Sequence, residues 1–223
     1  MIWTITRAFV LFVLGDWVCR ALSPAMRNRT NIIWFGMHLI SNVAVCCLCG
    51  PAVGRILLRG SATATASTPP MSESTMDALA VTCALHAYHF ASFRLTAIHV
   101  VHHFTSLIAL LLCVWPRPCS DQAVVVVLVA CSGAPGAVEY ATLLAVAAGW
   151  VHKLQQKRLS AWINMLLRCP LGVVGSWIAF VEGASRGSVC TILFSLITFL
   201  NATLFAKMAV ENHCAHCRVG IAV

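Results

Sequence analysis

Five of the nine histidines lie within residues 77–115, where most of their neighbours are apolar. They are His86, His89, His99, His102 and His103. A buried neutral imidazole has one donor and one acceptor nitrogen to satisfy. Five of them in so short an apolar stretch therefore need hydrogen-bonding partners, a metal ion or a task in proton transfer.

The histidines at positions 99, 102 and 103 form a box with spacings i, i+3 and i+4, which places them on one face of a helix. This arrangement predicts a chemical role for His102 and His103, with structural hydrogen bonding as the alternative. His86 and His89 lie on the preceding helix, and an antiparallel neighbour would bring them close to the box. No cofactor is required by this pattern. A single buried zinc ion, which needs three or four ligands, is a less favoured alternative.

The composition predicts that these histidines lie in a membrane protein. The chain has 223 residues, of which 60% are hydrophobic and 10% are charged. Soluble domains carry about 25% charged residues, so this chain cannot cover a soluble surface with charge. The net charge of +8 is spread over short loops and forms no basic patch with interleaved aromatics, which argues against nucleic-acid binding. Most of the 12 cysteines lie in apolar runs, which predicts free thiols.

The predicted fold is all-α, a polytopic bundle of six to seven transmembrane helices. Residues 1–30 form a weak first span, an N-terminal anchor or a leader. Residues 31–210 form the transmembrane domain, and residues 211–223 form a polar C-terminal tail. The predicted spans within the domain are 31–50, 77–92, 98–115, 122–150 (broken at 132–136), 161–181 and 188–210.

A count of seven spans places the loops at 21–30, near Arg94 and at 151–160 on one side, together with the C-terminal tail. These segments hold most of the lysines and arginines. The positive-inside rule then puts this side in the cytosol, or in the matrix if the protein is mitochondrial. Four arginines against one acid in the first 30 residues keep the mitochondrial inner membrane as an alternative location.

Two charged residues lie well inside predicted spans, away from the span ends, and each has two interpretations. Glu139 must be paired or protonated if it is buried. It either orients a catalytic histidine or forms an ion pair with Arg168 or Arg94. Arg168 either extends to the membrane interface or binds a lipid phosphate or carboxylate.

Short motifs across residues 31–181 resemble those of the TRAM–LAG1–CLN8 (TLC) class of multi-pass membrane proteins. More specifically, the chain is similar to a poorly characterised eukaryotic and large-virus group with TLC-like architecture. The histidine pair His102-His103 precedes an apolar run, as it does in that class. The other matching residues are Trp34-Phe35, His38, Asn42, Tyr88-His89, Phe93-Arg94-Leu95-Thr96, Ser132-Gly133-Ala134-Pro135-Gly136, Glu139-Tyr140, Gln156-Lys157-Arg158, Asn164 and Arg168-Cys169-Pro170.

The resemblance implies a lipid-metabolic function in the endoplasmic reticulum or another endomembrane. Ceramide synthases of the TLC class use the histidine pair for acyl transfer from acyl-CoA to an amine. Carried over to this chain, this implies acyl-CoA as a substrate and a catalytic set of His102, His103 and Glu139. Arg168, His89 and Asn164 would bind the substrate. One residue departs from the pattern, because an acid usually stands where this chain has His99.

Two other function classes fit the same sequence. The first is a non-catalytic membrane protein, either a lipid-organising factor or a subunit of a membrane complex, whose histidines only form hydrogen bonds. The second is a transporter, which the interruption at 132–136 favours. Membrane lipids are the expected partners in each case, together with a membrane-protein partner or a second copy of the chain.

Overall fold

The computed structural model describes residues 1–22, 29–59, 71–114 and 119–221. Within these ranges the regular structure is helical and contains no strand, which confirms the all-α prediction. A five-residue π-helical turn, Asn164–Arg168, joins the seventh and eighth helices. The α-helices are α1 (Ile2–Leu22), α2 (Arg29–Arg59), α3 (Glu73–Ser92), α4 (Ala97–Leu112), α5 (Asp121–Cys131), α6 (Ala134–Ala147), α7 (Lys153–Ile163), α8 (Cys169–Arg186) and α9 (Val189–Ile221).

Five helical stretches of the described chain are long and apolar enough to cross a membrane. A sixth apolar helix, α4, is shorter. Large apolar side chains are exposed along these stretches, as expected for helices whose outer surface faces lipid. The total of six to seven spans stays a prediction. The five stretches are Ile2–Ala21, Arg29–Ile56, Asp121–Ala147, Lys153–Arg186 and Val189–Cys217.

Contacts between helix ends show that successive helical runs alternate in direction. The guanidinium of Arg20 lies 6.0 Å from the ring centre of Phe93, so α1 and α3 end side by side. At the opposite end of the bundle, the Ser120 amide donates a 2.7 Å hydrogen bond to Glu182, which joins the start of α5 to the end of α8. The runs α5–α6 and α7–α8 each extend from one end of the bundle to the other.

Helix α3 occupies the centre of the bundle and packs against α1, α2, α4 and α5. It has buried residues along its length, including Ala78, Leu85 and Tyr88, and its histidines His86 and His89 are buried too. A helix enclosed by other helices does not have to be apolar on every face, because its polar groups meet protein and not lipid. This explains why α3, which begins with Glu73, falls outside the set of strongly apolar stretches.

Two segments predicted as non-helical are helical. Residues 151–160 were expected to form a basic loop, but α7 begins at Lys153. His152 caps this helix: its side chain accepts from the Leu154 amide, and Gln155 accepts from the His152 amide. Lysine, glutamine, arginine and leucine are also good helix formers. Similarly, α9 continues through most of the predicted polar tail, to Ile221.

The helix break expected at 132–136 is shorter than predicted. The interruption separates Cys131 from Ala134, and Pro135 lies in the first turn of α6, where its missing N–H costs no hydrogen bond. Helices α5 and α6 both pack against α2.

All twelve cysteines are free thiols, as the sequence predicted.

Gly175 lets α8 approach α5, and its replacement should destabilise the bundle. A Cβ atom there would lie 2.8 Å from Val127 Cγ2 and 3.3 Å from the Val127 backbone nitrogen. We expect Gly175→Ala to lower the free energy of unfolding by about 1–3 kcal/mol through overpacking. Thermal unfolding of the detergent-purified protein measures this effect. Gly50→Ala is the matched control, because a Cβ at Gly50 has no neighbour within 4 Å; equal midpoints for both variants would contradict the prediction.

Candidate functional site

Three histidines from two antiparallel helices meet inside the bundle. His86 comes from α3, and His102 and His103 come from α4. The Nδ1 atoms of His86 and His103 are 2.7 Å apart and share a hydrogen bond. One ring nitrogen from each of the three lies within 4.8 Å of the other two. The predicted approach of His86 to the histidine box is therefore present in the structure.

Aromatic rings pack behind this cluster and hold it in place. The Trp34 ring stacks on His89 at a centroid distance of 4.0 Å and meets His103 edge-on at 5.7 Å. His38 also stacks on His89, at 4.4 Å, and on Tyr140, at 4.1 Å, and its ring lies 5.2 Å from that of Trp34. The rings thus form a continuous stack that links α2, α3 and α6.

A cavity of about 190 Å³ opens beside the cluster. The charged groups, imidazoles and amides lie around the middle of the bundle, and a mainly apolar part of the lining extends toward the end that holds Ser120 and Glu182. The first part includes His38, Asn42, His86, His102, Ser132, Glu139, Arg168 and Asn201, and the second includes Leu110, Val127, Leu128, Phe194 and Ile197 together with the hydroxyls of Thr82, Ser106 and Thr198.

An ion pair forms part of the polar lining. Arg168 donates from Nη1 to Glu139 Oε2 at 2.8 Å and to Asn164 Oδ1 at 2.8 Å. Ser160 donates from Oγ to the other carboxylate oxygen of Glu139 at 2.7 Å. Both charged side chains are largely buried, 12% exposed for Arg168 and 18% for Glu139. The Nε atom of Arg168 has no hydrogen-bonding partner among the described residues, so the guanidinium retains an unused donor.

Two backbone irregularities accompany this pair. The π-helical turn Asn164–Arg168 carries the arginine, and the Cys169 amide reaches back to the Asn164 carbonyl. Pro170 follows directly and has no N–H to donate, which suits a widened turn. Glu139 lies on α6 just after the break in the preceding helix. Irregular backbone of this kind is tolerated in membranes where it faces protein or a cavity.

A second cavity, of about 420 Å³, lies on the other side of the ion pair. It is more polar and is lined by α7 and the late part of α9, including Gln156, Lys157 and Glu211. Glu139 and Arg168 line both cavities. The ion pair therefore separates the histidine cavity from the basic end of the bundle.

The structure brings half of the predicted site residues to the histidine cavity. His102, Glu139 and Arg168 line it. Asn164 instead lines the second cavity, where its side chain accepts from Arg168.

The predicted roles of Glu139, His103 and His89 need correction. Glu139 bonds to Arg168 and Ser160, and no hydrogen bond joins it to a histidine among the described residues. The alternative reading, an ion pair with Arg168, is the arrangement observed. His103 is buried behind His86 and does not line the cavity, and His89 is enclosed in the aromatic stack.

The structure also adds residues to the site that the sequence did not single out. His86 lines the cavity, whereas the sequence predicted only that it lies close to the histidine box. Asn201 and Phe205 reach the site from α9, and Phe205 meets His102 edge-on at 4.8 Å. Asn201 could have been found as a lone amide in an apolar run. Glu182 lines neither cavity but is, like Asp16, a buried acid, and its i,i+4 spacing to Arg186 was the available signal.

No protein-family model, curated protein or solved structure matches this chain. The TLC resemblance stays a prediction carried by the motifs.

Removal of Arg168 should destabilise the protein far more than removal of an exposed lysine. Arg168→Met leaves the Glu139 carboxylate buried without its cation, which typically costs about 3–5 kcal/mol. Lys207→Met is the matched control, because Lys207 and Glu211 form an i,i+4 pair that is 68% and 60% exposed. Exposed pairs contribute about 0–1 kcal/mol. Thermal unfolding in detergent measures both changes.

The double variant Glu139→Gln/Arg168→Met removes both charges and should recover part of the lost stability. A double variant no more stable than Arg168→Met would contradict the view that the unpaired carboxylate causes the loss.

Proposed function

We propose that this chain is an integral membrane enzyme of lipid metabolism that transfers acyl groups, with a TLC-like bundle of six to seven spans in the endoplasmic reticulum or another endomembrane. The observation that carries the proposal is the divided lining of the histidine cavity. An amphiphile has one polar end and one apolar end. The cavity likewise has a polar part and a mainly apolar part, so each end of the molecule would meet a matching lining. The position of reactive imidazoles at the polar part favours chemistry near a lipid head group.

Arg168 is the group that would bind the polar end of the substrate. Its charge is balanced by Glu139, but its Nε–H has no partner among the described residues. A phosphate or carboxylate oxygen accepts strongly from a guanidinium, and such charge-assisted bonds are about twice as strong as neutral ones. The apolar lining, with Leu128 and Phe194, would then hold an acyl chain.

His102 is the group that would accept a proton. Its ring lines the cavity, and its Nδ1 atom has no partner in the described part of the chain. An acceptor hydroxyl or amine next to His102 would lose its proton to the imidazole as it attacks the thioester carbonyl of acyl-CoA. The acyl–sulfur bond then breaks, and the CoA thiolate takes up the proton. The products are an acylated lipid and free CoA.

A second candidate is a non-catalytic lipid-binding protein. The observation that favours it is the internal pairing of the polar groups: His86 bonds to His103, and Arg168 bonds to Glu139. Buried polar groups that bond to each other stabilise and specify a fold without any reaction. In this reading the cavity holds a lipid that is never converted.

The His102→Ala variant tests the enzyme. Proteoliposomes with the purified chain are supplied with labelled acyl-CoA and a mixed lipid extract, and labelled products are identified by mass spectrometry. We expect His102→Ala to lower the rate by about 10²–10⁴-fold, the usual contribution of general acid–base catalysis. His99→Ala is the matched control, because His99 is exposed on the same helix and lies outside the cavity.

Two results would contradict the enzyme. The first is the absence of any labelled lipid product from protein that remains folded and retains bound lipid, which would favour the non-catalytic candidate. The second is an equal rate for the wild type and His102→Ala.

A further inference from the structure

We propose that His86, His102 and His103 bind one zinc ion whose fourth coordination position faces the histidine cavity. The inference deepens the proposed function and rests on it for the identity of the reaction. The metal site itself is argued from the geometry of the three imidazoles.

The spacing of the ring nitrogens suits a tetrahedral metal ion. Zinc binds imidazole nitrogen at about 2.0–2.1 Å, which sets neighbouring ligand nitrogens about 3.3 Å apart in a tetrahedron. The His86 and His103 Nδ1 atoms are now 2.7 Å apart, and the whole set lies within 4.8 Å. Ring rotations that open the His86–His103 spacing by about 0.6 Å and shorten the longest spacing by up to about 1.5 Å would produce the coordination geometry.

The hydrogen bonding of the cluster is incomplete without another partner. His102 Nδ1 and His103 Nε2 are buried and unpaired within the described ranges. An unsatisfied buried polar atom typically costs about 1–3 kcal/mol. An apolar environment also keeps imidazole neutral, and neutral imidazole is the form that binds metal. A zinc ion bound through His102 Nδ1 and the Nδ1 atoms of His86 and His103 would give His102 Nδ1 a partner, and His103 Nε2 would carry the proton of its ring.

The ligand set is of the type found at catalytic zinc. Three protein ligands with an open fourth position distinguish catalytic from structural sites. His86 and His102 line the cavity, so the open position is on the cavity side. The carboxylate of Glu139 bonds to Arg168 and Ser160 and lies outside the group of three histidines that could hold the ion.

Zinc at this position would change how the acyl acceptor is activated. Three neutral imidazoles leave the charge of the ion uncompensated, which favours an anionic fourth ligand. A water held at the open position would lose its proton near neutral pH, and a lipid hydroxyl held there would be activated in the same way, which would supply a nucleophile for an acyl carbonyl. His102 would act as a ligand in this state, and the metal would take over the activation of the acceptor.

A second histidine-containing segment provides a control within the chain. Cys217 Sγ lies 3.7 Å from His213 Nε2 near the end of α9. These two residues and Cys214 could bind zinc weakly at the surface. A thiolate ligand is distinguishable from an all-nitrogen site by its charge-transfer absorption with cobalt.

The experiment uses the full chain, purified in detergent, stripped with a chelator and reloaded with zinc alone. Bound metal is counted by elemental mass spectrometry. We expect one zinc per chain for the wild type, His99→Gln and Cys217→Ser. For His86→Gln and His102→Gln we expect affinity to fall by about 100-fold or more, since even the loss of an outer-shell partner costs about 10–100-fold.

Cobalt substitution of the wild type provides a measurement that does not depend on the folding of any variant. An intense visible spectrum typical of tetrahedral cobalt without thiolate charge transfer supports the site. Absence of stoichiometric metal in folded wild-type protein overturns the inference, and so does a thiolate band or a loss of binding in Cys217→Ser.

The outcomes also separate the metal site from the enzyme. Zinc bound through the histidines in a protein without acyl transfer supports the site and refutes the proposed function. Acyl transfer that survives complete removal of zinc supports the function and overturns the role of the metal in activating the acceptor.

Discussion

The buried ion pair between Arg168 and Glu139 is the interaction on which the rest of the site depends. A charge inside an apolar bundle must have a partner, and these two side chains come from helices that are distant in sequence. Their meeting fixes α6 against the π-helical turn before α8. The same pair closes the polar end of the histidine cavity and forms a wall of the second cavity. One contact thus organises packing, charge and access to the site.

The imidazole cluster is also held by contacts between different helices, but these contacts are aromatic packing and not an ion pair. Trp34 on α2 stacks on His89, and Tyr140 on α6 stacks on His38. This packing restricts the positions that the histidine rings can take. Within the cluster His86 and His103 have one another as partners, while other ring nitrogens have none in the described chain. A closely packed group of partly unsatisfied imidazoles beside a cavity is suited to bind a ligand or to take part in a reaction. A purely structural role in the core fits it less well.

The sequence predicted the class of fold and several residues of the site, but not their pairing. Hydropathy identified an all-helical chain, because long apolar runs carry a strong signal. The i,i+3,i+4 spacing correctly placed His102 and His103 on one turn. It could not show that His103 faces away from the cavity while His86 faces into it, since that depends on the rotation of α3 against α4. The choice between a histidine and Arg168 as partner of Glu139 also depended on tertiary contacts.

The central position of α3 has a consequence for the biogenesis of the protein. Its two acids, Glu73 and Asp77, lie in its first two turns, and its two buried histidines lie nearer its other end, so a lone α3 would expose polar imidazoles to lipid. Helix α3 is separated from lipid only after α1, α2 and α4 have packed around it. Its entry into the bilayer is therefore coupled to that of its neighbours. Of the three imidazoles in the cluster, His86 therefore lies on a helix that depends on its neighbours for insertion, whereas His102 and His103 lie on the apolar helix α4.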